Sequence, residues 1–244
     1  MPRFPVKQES IKNQTARITG SDYKHITKVL RLRPGDEITL FNEDGIEYTG
    51  RIEEIGTKDL KVTILSSRCV KTESNLNITL IQGIPKGDKM DLIVEKATEL
   101  GVKTIIPTIT ERTQIRNTEK LKRWQKIAIE SSKQCRRTTP PTILEPKGFN
   151  EAINISNQSE LKLIFHEKND NYLTNIINNL TQLPVNITIC IGSEGGFSET
   201  EVATAREKGF TPVGLGPRIL RTETASIVAV SILQFVFGDI GTRG

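Results

Sequence analysis

Two glycine-bearing turns near the C-terminal end constrain this sequence more than any other feature. Ile191-Gly192-Ser193-Glu194-Gly195-Gly196-Phe197-Ser198 follows the apolar run Asn186–Ile191. Leu215-Gly216-Pro217-Arg218-Ile219-Leu220-Arg221-Thr222-Glu223-Thr224-Ala225 follows the run 211–215. Each run reads as a strand, and each turn leads into a helical segment. In an open α/β sheet, ligands bind outside the carboxyl ends of the strands. Glycine there lets backbone N–H and C=O groups approach a flat ligand without a Cβ in the way. The pair predicts a nucleotide-like ligand; the plainer reading is that both turns carry glycine for tight geometry alone. No G-x-G-x-x-G follows a strand and no G-x-x-x-x-G-K-S/T occurs, which argues against a dinucleotide fold and a P-loop. Lys208, the only nearby lysine, lies at the far end of the intervening helix.

Strand and helix signals alternate from Leu76 onward. Strand-like runs cover 76–84, 103–107, 161–166, 186–191 and 211–215, with a shorter one at 142–144. Helical segments cover 88–100, stopped by Gly101, and 119–135, capped by Thr118. Others lie near Asn150 and over 171–180, 199–208 and 222–237. Ser198 with Glu201 makes a capping box, and Gly209 closes that helix. This alternation predicts a parallel sheet covered on both faces. Residues 1–72 read differently. Ser21 can cap a helix through Leu30, and 37–41, 46–55 and 60–65 are short strands, with alternation at Ile38/Leu40 and Leu60/Val62/Ile64. Asp44-Gly45 and Gly56-Thr57-Lys58-Asp59 are turn signals. The expectation is a small β-barrel domain over 1–72, a polar link at 70–75, and an α/β domain over 73–244.

The 244 residues, 36% hydrophobic and 26% charged, suit a soluble protein of one large or two small domains. No apolar run approaches the ~20 residues of a membrane span. The stretch MPRFPVKQES has no apolar h-region, so a cytoplasmic protein without membrane association is expected. Cys69, Cys135 and Cys190 are isolated, which argues against disulfides and a metal site. Net charge is +5 and uneven. Between Arg112 and Arg137, nine basic residues stand against Glu119 and Glu130; residues 1–72 hold 13 basic and 10 acidic groups. Such density suits a phosphate backbone, and the alternative is a solvated helix face. The candidates for holding RNA are Arg3, Arg31, Arg33, Arg112, Arg136 and Arg137. The last helix is apolar on all sides, with Ile227, Val230 and Phe237 among its residues. It must be covered either by the rest of the chain or by a second subunit.

The motifs GSEGGFS and LGPRILRTETA closely resemble those of the RsmE-type ribosomal RNA methyltransferases of the SPOUT superfamily. The likeness extends to Glu95-Lys96-Ala97-Thr98-Glu99-Leu100-Gly101-Val102, to Glu111-Arg112, and to Arg123-Trp124-Gln125-Lys126-Ile127 with Gln134 and Arg137. Pro2-Arg3-Phe4 and the stretch 25–36 also look like the family, so the resemblance spans nearly the whole chain. Ser193 departs from it, since family members commonly carry proline there. The resemblance implies an α/β fold with a SPOUT-type parallel sheet and C-terminal trefoil knot, preceded by a PUA-like β-barrel. Nothing in the periodicities themselves indicates a knot. It further implies S-adenosyl-L-methionine (SAM) as cofactor, a uridine N3 of 16S rRNA in the small ribosomal subunit as acceptor, and a homodimer formed through the last helix. The cofactor contacts it implies are Phe165, His166, Gly192, Ser193, Glu194, Gly195, Gly196, Leu215, Gly216, Arg218, Ile219, Leu220, Thr222 and Ala225.

Neutral uridine N3 is a poor nucleophile until its proton leaves, so the site must stabilise a developing anion. Arg218 and Arg221 can present guanidinium forks to a uracil carbonyl or a phosphate, or can pair with Glu223 or Glu194. Glu194 and Glu223 are the candidate bases, although a glutamate in the first turn of a helix is also favoured by the helix dipole. Arg218, Arg221 and Glu194 are therefore the catalytic candidates. His25 either contacts RNA or packs, and Trp124, at helical spacing with Leu121 and Ala128, reads as core. Two other functions fit the same features: a non-catalytic RNA-binding ribosome-assembly factor, and a SPOUT enzyme modifying another RNA position. Intact loop glycines and arginines argue against the first.

Overall fold

The computed structural model describes residues 1–114, 119–167 and 171–241. Arg116 and the proposed cap Thr118 lie outside the described residues. The chain divides into two units, one formed by Met1–Glu73 with Ser132–Thr139, the other by Ser74–Ser131 with Pro140–Gly244.

The first unit contains β1 (Arg3–Pro5), β2 (Ile11–Lys12), β3 (Thr15–Thr19), α1 (Gly20–Lys24), β4 (Glu37–Phe41), β5 (Ile46–Ile55) and β6 (Asp59–Cys69). Their order is β1-β4-β5-β6-β3-β2, with β1 parallel to β4 and the remaining pairs antiparallel. The expected barrel is realised as a curled sheet whose pairing ends at β1 and β2. Alternation works as the pattern requires: Ile38, Leu40, Leu60 and Val62 all point into one buried cluster with Phe4, Ile18, Ile26 and Ile52. The first hairpin closes on Gly45, at φ +75°, with the Ile46 N–H donating to Asn42 Oδ1 at 3.0 Å. In the second, Gly56 N–H donates to Asp59 O at 2.9 Å.

Two expectations fail in this unit. Ser21 caps nothing: α1 starts at Gly20 after Thr19, without a side-chain cap, and widens into one π-type turn over His25–Val29. β6 runs on to Cys69 because it pairs with β5 as far as Ile46, although its last residues are exposed and carry no apolar alternation. His25 packs edge-on against the Phe4 ring, a structural contact.

The second unit contains β7 (Asn77–Gly83), α2 (Lys89–Glu99), β8 (Thr104–Ile109) and α3 (Leu121–Cys135), then β9 (Thr142–Ile143), β10 (Lys147–Gly148) and α4 (Phe149–Asn154). β11 (Leu161–Phe165), α5 (Leu173–Asn178), β12 (Asn186–Ile191), α6 (Glu199–Glu207), β13 (Thr211–Val213) and α7 (Thr222–Phe237) complete it. The sheet order is β10-β8-β7-β12-β11-β13, with β9 also on β8, and every pairing among the described residues is parallel. Successive residues of the central strands enter opposite cores. Leu80, Ile105, Leu163 and Ile189 join Trp124 and residues of α2, α5 and α7. Ile81, Ile106, Ile164 and Cys190 join Phe149, Phe197 and residues of α4 and α6. Strands apolar on both faces are what a doubly covered parallel sheet requires. Trp124, 1% exposed, is core.

α7 divides between the two readings of its apolar surface. Ala229, Val230 and Leu233 are buried within the chain, whereas Phe235 is 68% exposed and Val236 also faces outward. Val230, expected at a subunit interface, is covered by its own chain at 1% exposure.

Candidate functional site

The carboxyl ends of β11, β12 and β13 converge on one cavity of about 370 Å³, within the usual range of small-ligand sites. Its lining comes from Phe165–Glu167 after β11, from Ile191–Glu194 and Gly196–Phe197 after β12, and from Val213 through Thr222 with Ala225 after β13. Close backbone approach makes this possible. A Cβ on Gly83 would lie 2.5 Å from the Ser193 nitrogen, and one on Gly192 would lie 2.8 Å from the Gly196 Cα. The end of β7 thus packs directly on the first turn, which folds back on itself through Gly196 N–H to Ser193 O at 2.9 Å.

A buried polar network joins the two turns. Gln82, fully buried at the end of β7, donates from Nε2 to Thr222 Oγ1 and to Gly83 O, each at 3.0 Å. Ser226 Oγ donates to Gln82 Oε1 at 2.5 Å, and Thr222 Oγ1 donates to Gly192 O at 2.6 Å. The start of α7, and the second turn before it, are thereby fixed to the first turn. Buried networks with their donors satisfied rigidify what they connect. Sequence reasoning missed Gln82; its signal was a glutamine in the apolar run 80–84, directly before a glycine.

Thirteen of the fourteen candidate cofactor residues line this cavity, and Gly195 does not. A Cβ at Gly195 would instead meet the Arg112 side chain at 2.9 Å, so this glycine makes room for protein rather than ligand. Arg112, expected on RNA, lines the cavity and donates from Nη1 to Gly195 O at 3.0 Å. Lys89, Glu167, Ile191, Phe197, Val213, Gly214 and Pro217 also line it without having been picked out. Arg218 and Arg221 are exposed on the rim, with no ion pair to Glu194 or Glu223. Glu194 is engaged elsewhere: it accepts from Lys89 Nζ at 2.6 Å and from the Lys86 N–H at 3.2 Å. Burial works to raise its pKa, but Lys89 and the backbone N–H groups of Glu194 and Lys86 outweigh it and hold the carboxyl below its usual range. A carboxylate stabilised in its charged form is a weak base, so Glu194 serves as a clamp on the turn. Glu223, the other candidate base, stands in the first turn of α7 outside the cavity lining.

The RNA candidates separate by burial. Arg31 and Arg33 are exposed in the first unit, and Arg136 is exposed after α3. Arg3 is instead held against Glu47, whose other oxygen takes Arg68 at 2.6 Å. Burial works to raise the Glu47 pKa, and the two arginines overcome it. Arg137, 3% exposed, pairs with Glu73, which also accepts the Thr138 and Thr139 N–H groups. A guanidinium held against a carboxylate, with a tenth or less of its side chain exposed, has little charge to offer a phosphate, so Arg3 and Arg137 build the first unit. Lys120, Arg123 and Lys133 are likewise paired, with Asp88, Asp91 and Asp22. The expected basic strip is therefore thinner than its nine charges suggested.

A doubly covered parallel sheet with a glycine-lined cavity at its strand ends is the architecture of a ligand-binding α/β protein, and the family matches make this one an RNA methyltransferase. Residues 72–234 match the RNA methyltransferase domain family, and residues 18–65 match the RNA methyltransferase PUA domain family. Within that class, the chain belongs to the ribosomal RNA small subunit methyltransferase E family. It is 37% identical over 244 residues to that protein from Buchnera aphidicola, covering 98% of this chain and 95% of the relative. Among solved structures, it is similar to the Neisseria gonorrhoeae ribosomal RNA small subunit methyltransferase E bound to S-adenosyl methionine. That match has a TM-score of 0.87 and 37% identity, and covers 98% and 99% of the two chains. A methyltransferase from Legionella pneumophila in complex with SAM matches with a TM-score of 0.89 and 36% identity, covering 98% of each chain. No helix among the described residues is long and apolar enough to cross a membrane. No group of three or more His, Cys, Asp or Glu among them could hold a metal ion.

Proposed function

We propose that this protein transfers a methyl group from SAM to N3 of a uridine in 16S rRNA of the small ribosomal subunit. In this reading it acts in the cytoplasm as a homodimer, with its C-terminal segment threaded as the trefoil knot that the family resemblance implies. The observation that carries the reading is the cavity where the ends of β11, β12 and β13 meet, lined by the glycine turns, by apolar side chains and by the charged Lys89, Arg112, Glu167, Glu194, Arg218 and Arg221. Its residues suit SAM. Gly216, at φ +120°, stands on the lining with nothing within 4 Å of the place a Cβ would take, and Phe165, Ile191, Leu215 and Leu220 offer apolar surface for an adenine ring. When bound, SAM would supply a methyl group on a cationic sulfur.

The chain's own contribution is positioning and charge placement, which together can account for much of the barrier to a displacement reaction. Arg218 and Arg221, on the exposed cavity rim and without protein partners among the described residues, would stabilise negative charge on a uracil oxygen as the N3 proton passes to solvent water. The Gln82–Thr222–Ser226 network holds the turn that carries them. Arg31, Arg33 and Arg136 would hold the RNA backbone. The outward Phe235 and Val236 support the homodimer, since apolar side chains this exposed on an apolar helix suit a covered face.

Calorimetric titration of the full-length protein with SAM tests this directly. Binding that is unchanged by a chelator is expected; no binding, or binding abolished by the chelator, would overturn the reading.

A further inference from the structure

The first glycine turn has a second wall that belongs to neither glycine motif. After β8, the chain makes a tight turn in which Thr113 N–H donates to Thr110 O and Thr110 N–H donates to Thr113 Oγ1, each at 3.1 Å; both threonines are buried. Between them, the Glu111 N–H donates to Glu201 Oε1 at 2.8 Å. Glu201 is the capping-box residue of α6, and its Oε2 accepts the Ser198 N–H at 2.9 Å. One carboxylate therefore fixes both the start of α6 and the turn that bears Arg112.

Arg112 reaches from this turn to Gly195. Its stem occupies the space a Cβ at 195 would take, and Nη1 donates to the Gly195 carbonyl at 3.0 Å. That single bond uses one of five donors in a planar fork. The rest of the guanidinium has no protein partner among the described residues, and Arg112 belongs to the cavity lining. Lys89, the other cation beside this turn, is already tied to Glu194. A guanidinium anchored at one nitrogen and free at the others is preorganised for bidentate contact with an oxyanion.

We propose that Arg112 is the oxyanion receptor of the site, held in place by Gly195 and by the positioning residue Glu201. It rests on the function proposed above, and two oxyanions fit it: the carboxylate of the cofactor's amino-acid tail and a phosphate of the RNA acceptor.

The test uses the full-length protein and its Arg112→Gln and Arg112→Lys variants. Affinities for SAM and for methylthioadenosine, which lacks the amino-acid tail, are measured alongside KM for small-subunit RNA. If the ligand is the carboxylate, Arg112→Gln weakens SAM about tenfold or more and leaves methylthioadenosine unchanged. If it is phosphate, both nucleosides bind as in wild type while KM for RNA rises about tenfold and its salt dependence flattens. In either case Arg112→Lys recovers part of the loss. Equal weakening of SAM and methylthioadenosine would show that Arg112 only buttresses Gly195, and no change in any arm would show that it binds nothing; both overturn the proposal. Failure of the wild-type protein to bind SAM would instead refute the function on which the proposal rests.

Discussion

Replacing Gln82 with leucine isolates the link between the two turns. The side chain is fully buried and makes three good hydrogen bonds: Nε2 to Gly83 O and Thr222 Oγ1, and Oε1 from Ser226 Oγ. Two of its partners keep an alternative, because Thr222 Oγ1 still donates to Gly192 O at 2.6 Å and the single Ser226 hydroxyl proton, released from Gln82, can turn to Thr222 O at 2.9 Å. The loss is therefore near the lower end for three bonds, about 2–4 kcal/mol, partly offset by roughly 1 kcal/mol for added apolar burial. A net cost of about 1–3 kcal/mol corresponds to a fall in Tm of roughly 3–10 °C for a chain of this size. Because the lost bonds tie the end of β7 to the start of α7, SAM affinity should fall with Tm. Thermal unfolding and calorimetry on Gln82→Leu measure both. A Tm within about 1 °C of wild type and unaltered affinity would refute the claim that Gln82 joins the turns.

Val230→Glu places a carboxylate in a site only 1% exposed, so it should unfold or strongly destabilise the isolated chain, by several kcal/mol. Phe235→Glu, on the outward face, should leave Tm nearly unchanged and shift sedimentation toward monomer; an unchanged sedimentation coefficient would remove the support for a dimer through α7. The depressed Glu194 pKa implies a contribution present above the usual 4.5 and lost as pH falls below it. SAM affinity should accordingly decline on the acid side of that value, and Glu194→Gln should lack this decline. Arg3→Ala should lower Tm by leaving the buried Glu47 with Arg68 alone, whereas Arg31→Gln with Arg33→Gln should keep Tm and flatten the salt dependence of RNA binding.

The second unit was largely legible because its elements follow strong local rules. The apolar run 186–191 and the Ser198/Glu201 capping box appear as read, and α7 spans Thr222–Phe237 as expected. The cavity was legible for the same reason, since strand-to-helix turns rich in glycine mark the ligand end of a parallel sheet. What escaped detection depends on tertiary contact. β1 to β3 are short strands defined by their pairing rather than by an apolar period. Gly195 and Gly192 look alike in sequence, yet one faces Arg112 and the other Gly196. Arg3 and Arg31 carry equal charge, and only the fold shows that Glu47 already neutralises the first.

The central claim is methyl transfer to a uridine base in small-subunit rRNA, and nucleoside mass spectrometry after incubation with the purified protein tests it most directly. Small-subunit particles from cells lacking the corresponding gene, supplied with SAM, should gain 3-methyluridine, and Arg218→Gln or Arg221→Gln should reduce that gain. Methylation on a ribose hydroxyl or a guanine, or no methylated nucleoside at all from a protein that binds SAM, would contradict the account.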